Sequence, residues 1–231
     1  VTTLAIMGLT REEKIVGHPE IRTIAGGGLS AKLAEKIAAA IAEKRPRGII
    51  SIGIAGALDP VLKVGDCLVA REIIAEGERF ASHPDWSAAL LRALPGAHHA
   101  DFYGSEVIVM EGGEKRRLRE TTGAMAVDME SHVAARVAAA HGLPFAAVRV
   151  VSDTTHADLP PAFLNCMKPD GGINYAAITK SILSDPRQLP ALMRTAREVE
   201  AAFASLIRRR GDLGPRLLGL VDVGQHPLDV A

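Results

Sequence analysis

The chain has only two cysteines, Cys67 and Cys166, far apart and outside any C-x-x-C or Cys/His cluster. Neither a disulfide framework nor a zinc site is supported, and reduced thiols in a cytoplasmic protein are expected. An excess of charge of one sign is missing too, since Lys plus Arg and Asp plus Glu number 27 each. With no global field to attract a polyanion, nucleic acid and anionic membrane surfaces are excluded as general partners, and a small or neutral ligand is expected. No segment offers the about 18 uncharged apolar residues of a membrane span. Residues 1–7 are too short an apolar run, without a basic leader, for a signal peptide. Internal repeats and low-complexity linkers are also absent, so residues 1–231 are expected to form one domain.

What is present is a series of apolar runs bounded by Gly or Asp, at residues 4–7, 48–54, 67–75, 106–110, 125–127 and 145–151. Continuous runs rich in Val and Ile read as strands buried on both faces. Between them the spacing of Leu33, Ile37, Ala40 and Ile41 predicts a helix over 30–44, with Ser30 as N-cap and Pro46 past its end. A second helix is predicted over 130–141, stopped by Gly142 and Pro144 with His141 suited to its C-terminus, and a third over 189–209. Strands alternating with helices predict an α/β fold, a three-layer α/β/α sandwich around a mixed, largely parallel sheet. The stretch 159–172, broken by Pro160, Pro161, Pro169, Gly171 and Gly172, follows a strand's C-terminal end and is a candidate lid. The run 208–210 and the tail beyond it read as a solvated helix end and a surface segment.

Four strand ends carry the chemistry-bearing residues. In G-L-T-R-E-E-K, Glu12 and Glu13 either favour the positive end of a helix or act at a site. I-S-I-G-I-A-G-A-L reads as a strand ending in a Gly53-x-x-Gly56 turn, where glycine allows positive φ and close ligand approach, but the spacing fits neither a dinucleotide fingerprint nor a Walker loop. Gly26 to Gly28 read as a turn rather than a phosphate cradle. In A-V-D-M-E-S-H, Asp128 is explained as a helix N-cap, whereas Glu130 serves either the helix dipole or a pocket. In V-R-V-V-S-D-T-T-H, Asp153 is either a cap or an acid at the ligand-binding edge of the sheet.

Together G-L-T-R-E-E, S-I-G-I-A-G-A-L followed by K-V-G-D, A-V-D-M-E-S and V-R-V-V-S-D resemble the purine nucleoside phosphorylase and methylthioadenosine/S-adenosylhomocysteine nucleosidase family. The order and spacing agree over residues 4–183. Within that family the chain looks most like the bacterial hopanoid-associated enzymes that act on adenosylhopane.

The resemblance implies cleavage of a purine N-glycosidic bond, which builds positive charge on the ribosyl ring and negative charge on the base. It implies that Glu130 binds the ribose hydroxyls and stabilises the cation, that Met129 packs on the sugar, and that Asp153, oriented by Ser152, protonates N7. For that task the Asp153 carboxyl would be raised by burial and a neighbouring carboxylate. Ile108 stands where the family often has a stacking aromatic, with the backbone of Val109 reading the base edge. Ile54 and Gly56 also fall against the substrate. Glu13, with Glu12 as neighbour, best matches the position that orients water in the family's hydrolases. Phosphorylases place arginine and serine around phosphate, and here Glu13, Ser51 and Ile54 occupy those positions, so water is favoured. Arg11, Arg22 or a partner subunit's arginine could still make the chain a phosphorylase, with phosphate as co-substrate. No other cofactor and no metal are expected. Phe163, Leu164 and Met167 could line a channel for a lipid-linked 5′ group, and His156 could contact substrate. A homo-oligomer is implied by the resemblance alone. A nucleoside-binding regulator without turnover is the reading from another class, and the presence of both Glu130 and Asp153 argues against it.

Overall fold

The computed structural model describes residues 3–164, 166–168 and 170–214. Pro169 and the tail beyond residue 214 lie outside the described residues. In chain order the elements are β1 (Thr3–Met7), α1 (Thr10–Val16), β2 (Ile21–Ala25), α2 (Ser30–Glu43), β3 (Ile49–Ala57), β4 (Cys67–Ala75), β5 (Glu78–Ala81), α3 (Pro84–Ala93), β6 (His98–Gly104), α4 (Gly112–Thr122), β7 (Ala126–Asp128), α5 (Ser131–Ala140), β8 (Phe145–Asp153), α6 (Tyr175–Ser184) and α7 (Leu189–Asp212). Among the described residues no helix is long and apolar enough to cross a membrane.

The eight strands run in the order β2-β1-β3-β7-β6-β4-β5, and β8 pairs with both β3 and β4. Five pairings are parallel and three antiparallel, the mixed, largely parallel sheet expected. Because β8 bridges β3 and β4, the strands β3, β7, β6, β4 and β8 close into a ring, with β1, β2 and β5 as extensions.

Strand periodicity divides the core between the two faces. On β3, Ile50 and Ile52 join Trp86, Phe203 and Val16, from α3, α7 and α1. Ile49, Ala55 and Ala57 join Leu33, Ile37, Val133 and Ala134, from α2 and α5. Successive strand residues point to opposite faces, so a run buried on both sides must be apolar throughout. Each Ile fully buried in this way stabilises the fold by about 1.5–3 kcal/mol.

Several expectations change. Residues 106–110 are irregular rather than a strand, and the neighbouring strand is β6, whose H-H-A-D-F-Y-G carries no aliphatic run. The apolar 107–109 segment faces a cavity, which explains its composition without a ladder. Ser30 is the first residue of α2, Leu29 is its N-cap, and no side chain caps that end. The edge strands β2 and β5 are too mixed in character to stand out as buried runs. Gly53 and Gly56 lie within β3 and are not among the residues of positive φ, so they serve a different purpose from the turn expected of them.

Candidate active site

A cavity of about 660 Å³ opens at the C-terminal ends of β1, β3 and β8, the edge where α/β sheets hold ligands. Its polar end is lined by Glu12, Asp128, Glu130, Ser152 and Asp153. Its other arm is mainly apolar, walled by Phe163, Met167, Ile178, Leu192, Val199 and Phe203, with Tyr175, Thr195 and the Arg11–Glu200 pair also in the wall.

Glu12 sits in the first turn of α1 and bends back. Its Oε2 accepts the backbone N–H groups of Gly8 (2.9 Å) and Leu9 (2.8 Å), and Oε1 accepts that of Ile54 (2.8 Å). A carboxylate there satisfies free amides at the helix start. Burial outweighs these bonds and the attraction of Arg149, and raises the Glu12 carboxyl above its usual range. Glu13, the residue favoured from sequence as the water-orienting group, points elsewhere: its Oε1 accepts from Thr23 Oγ1 at 2.7 Å, and it is not part of the cavity wall. Adjacent helical residues diverge by about 100° around the axis, so only one of the pair can face the site.

Glu130 is the residue before α5 and is 7 % exposed. Asp128, the last residue of β7, accepts the backbone N–H groups of Glu130 (2.9 Å) and Ser131 (2.6 Å), whereas the N-cap position expected of it belongs to Glu130. Beneath both lies Arg149, a guanidinium 1 % exposed in the middle of β8. Its Nη2 is 2.7 Å from Ser51 Oγ, 3.1 Å from Ser131 Oγ, 3.2 Å from Asp128 Oδ1 and 3.7 Å from Glu130 Oε2. For Asp128 burial opposes the charge, but attraction and hydrogen bonds from Arg149 prevail and hold the carboxyl below its usual range. For Glu130 the balance reverses. Burial, joined by repulsion from Asp128 and Glu12, overrides the more distant Arg149 and pushes the carboxyl from 4.5 up to about 8.

Asp153 closes β8. Its Oδ1 is 2.8 Å from Ser152 Oγ, as expected, and its Oδ2 is 2.5 Å from Lys115 Nζ. The neighbouring carboxylate expected beside Asp153 is replaced by this ammonium.

Three glycines make room for the three acids. A Cβ on Gly53 would collide with Glu12 Oε1, one on Gly8 would lie 2.7 Å from Glu130 Oε1, and one on Gly56 would lie 3.2 Å from Asp153 Oδ2. Gly56, Ile54, Met129, Ile108 and Val109 all line the cavity, as does Val107. The Ile54 amide is already bound to Glu12.

The residues that could have held phosphate are committed. Arg11 forms a two-pronged pair with Glu200 and lies 4.1 Å over the ring of Phe203. Arg22 pairs with Glu43 and bonds the Ala40 carbonyl at 3.0 Å. Gly26 and Gly27 give their amides to the carbonyls of Met7 and Gly8. From the 159–172 stretch, Leu159, Phe163, Cys166, Met167 and Gly171 line the cavity, and Thr10 N–H donates to the Gly171 carbonyl at 3.0 Å. Leu164 is exposed and is not part of the wall, and His156 lines a separate, polar cavity.

Sequence reasoning missed Arg149 and Lys115. A cation inside V-R-V-V, a strand otherwise apolar, is a legible signal for the first. For the second the only hint is its place three residues before Leu118 on a helix otherwise rich in charge.

No curated protein sequence matches the chain. Solved structures do share the fold. The 5′-methylthioadenosine/S-adenosylhomocysteine nucleosidase of Neisseria meningitidis, in complex with methylthio-immucillin-A, is 18 % identical with a TM-score of 0.66, covering 93 % of this chain and 99 % of that one. The corresponding nucleosidase of Colwellia psychrerythraea, in complex with adenine, is 16 % identical with a TM-score of 0.63, covering 93 % and 97 %. The futalosine hydrolase of Helicobacter pylori is 16 % identical with a TM-score of 0.61, covering 84 % and 98 %. The sequence profile of the phosphorylase superfamily matches residues 20–183. With most of its length inside that match, the chain is an enzyme of the phosphorylase superfamily.

Proposed function

We propose that the protein hydrolyses the N-glycosidic bond of a 5′-modified adenosine and releases adenine. The observation that carries this reading is the convergence of Glu12, Glu130 and Asp153 on one end of a single cavity. Glycosidic cleavage needs an anion beside the ribosyl cation, a base for water and an acid for the leaving purine. Glu130 takes the first role through the ribose hydroxyls, with Met129 against the sugar. Glu12, in place of Glu13, orients and deprotonates water. Asp153, held by Ser152, protonates N7, while Ile108 and the Val109 backbone contact the base. The reading requires no cofactor.

Water is favoured over phosphate on electrostatic grounds. Phosphate beside C1′ would need a cation to hold it, and the Arg149 guanidinium next to Glu130 already bears on Asp128 and Glu130. Guanidinium forks, which phosphate sites favour, are otherwise engaged at Arg11 and Arg22. The apolar arm between the 159–172 stretch, α6 and α7 suits a large apolar 5′ group, and adenosylhopane is the favoured substrate. Val107 is 64 % exposed while also lining the cavity, and a second copy of the chain in a homo-oligomer would close that flank.

The test is adenine release from methylthioadenosine, S-adenosylhomocysteine and adenosylhopane, with and without phosphate, with the sugar product identified. Free ribosyl product is expected without phosphate. A strict phosphate requirement and a sugar 1-phosphate product would establish a phosphorylase instead. Binding without release from any of the three would establish a silent nucleoside-binding protein.

A further inference from the structure

Lys115 has no exposed surface, although it lies near the start of α4 beside the exposed Arg116 and Arg117. Its Nζ is 2.5 Å from Asp153 Oδ2, 3.1 Å from the Thr154 carbonyl and 3.0 Å from the Ala157 carbonyl. An ammonium has three donors, and these contacts use all three. The lysine stands behind Asp153, outside the wall of the 660 Å³ cavity, so it does not reach a ligand there. A second, polar cavity of about 420 Å³ borders the same helix start, lined by Gly112, Arg116, His156 and Asp158.

Stability does not account for this arrangement. Withdrawing two charges from water costs several kcal/mol each, and a buried ion pair is commonly matched or bettered by apolar residues of the same volume. An acid that must give up a proton inside a filled cavity does account for it, because a ligand there separates Asp153 from bulk water while Lys115 faces it from the other side.

We propose that Lys115 is a positioning residue and proton reserve for Asp153, passing a proton through that carboxyl to N7 of the departing purine. The inference rests on the glycosidase reading above. In the step, the C1′–N9 bond breaks and its electron pair leaves with the purine. A proton moves from Lys115 Nζ to Asp153 and from Asp153 to N7, so that neutral adenine departs, Asp153 ends as a carboxylate and Lys115 as an amine. Water adds to C1′ and gives its proton to Glu12. Release of that proton to solvent, and uptake of one by Lys115 from the side of the second cavity, restore the starting state.

Two substitutions separate this from a structural role. Lys115→Met removes the charge and the proton at similar volume. Lys115→Arg keeps the charge and the donors but cannot release a proton at neutral pH. With the adenosine derivative that the wild-type protein cleaves best, both variants are expected to lose at least about 100-fold in kcat, within the range for general acid catalysis, with KM changed only a few-fold. In Lys115→Ala, added ethylamine or propylamine is expected to restore turnover, and amines of equal size but different basicity should do so unequally. Full kcat in Lys115→Arg would reduce the residue to a fixed charge and overturn the proposal, as would unchanged kcat in Lys115→Met. Loss of folding in every variant, read by circular dichroism, would leave Lys115 a structural element and also overturn it. A wild-type protein that releases no purine from any adenosine derivative defeats the glycosidase reading itself, a result distinct from all of these.

Discussion

The Glu12 carboxylate occupies the space that a side chain on Gly53 would need. β3 passes so close to the start of α1 that only a bare backbone admits the acid, and the next residue of the strand, Ile54, supplies an amide to hold it. Gly53→Ala is therefore expected to displace Glu12 from that amide. Overpacking of a dense site costs about 1–3 kcal/mol, and kcat should fall at least about tenfold because the base loses its orientation. Thermal unfolding together with adenine-release kinetics would check both, and an alanine variant with normal kcat would show that the position of Glu12 does not matter.

Exchange of the two neighbouring glutamates gives a sharper comparison. Glu12→Gln should lower kcat by about 100-fold or more. Glu13→Gln, which only alters a bond to Thr23, should stay within a few-fold of the wild type. The reverse pattern would return the base role to Glu13.

The carboxyl of Glu130 gives a signed pH dependence. Its value rises from 4.5 to about 8 on folding, so between these limits the folded chain binds more protons than the unfolded chain. This contribution to stability is fully present below about pH 4.5, declines as pH rises and is gone above about pH 8, with a slope of at most about 1.4 kcal/mol per pH unit. Catalysis should run the opposite way, because Glu130 stabilises a cation only when ionised. kcat/KM is expected to climb toward pH 8, and Glu130→Gln should abolish that limb of the profile along with most of the activity. Chemical denaturation at a series of pH values and the kcat/KM profile measure the two effects separately.

Arg149 should be costly to remove. Arg149→Met leaves Asp128 and Glu130 buried without their cation, a change that typically destabilises by about 3–5 kcal/mol. The loss should be greatest near neutral pH and smaller in acid, where protonation relieves the unpaired carboxylates. A melting temperature unaffected by the substitution would remove Arg149 from the organisation of the site.

Burial holds the Cys67 thiol near 11, so the native protein should leave it almost unreactive toward an alkylating reagent at pH 8. Unfolding should expose it, and mass spectrometry of the labelled peptide would read the difference. Rapid labelling of Cys67 in the native protein would contradict its burial.

Much of this was legible in the sequence where the local rules of burial and of function coincide. β4 emerges with the bounds its apolar run suggests, and Glu130 and Asp153 stand at strand ends that face the cavity. Legibility fails where neighbours compete. Glu12 and Glu13 are chemically identical, and the direction of each depends on β3, about 40 residues away in the chain. Lys115 is one of several cations on α4, and what draws it inward is the end of β8. The glycines of β3 looked like turn-formers because sequence displays their permissive backbone but not the carboxylates that approach them. Residues 106–110 imitate a strand because the wall of an apolar cavity selects the same side chains as a sheet.

The last helix has a consequence for how the protein is made. Val199 and Phe203 of α7 wall the cavity, and Glu200 pairs with Arg11 of α1, so the two ends of the described chain meet at the site. On a ribosome the segments that carry Glu12, Glu130 and Asp153 are synthesised before their cover exists. Until α7 emerges, the apolar arm stands open to water and to any passing hydrophobic segment. A stalled nascent chain ending before Leu189 should therefore bind chaperone more strongly than one that includes the helix, although every acid of the site is already in it.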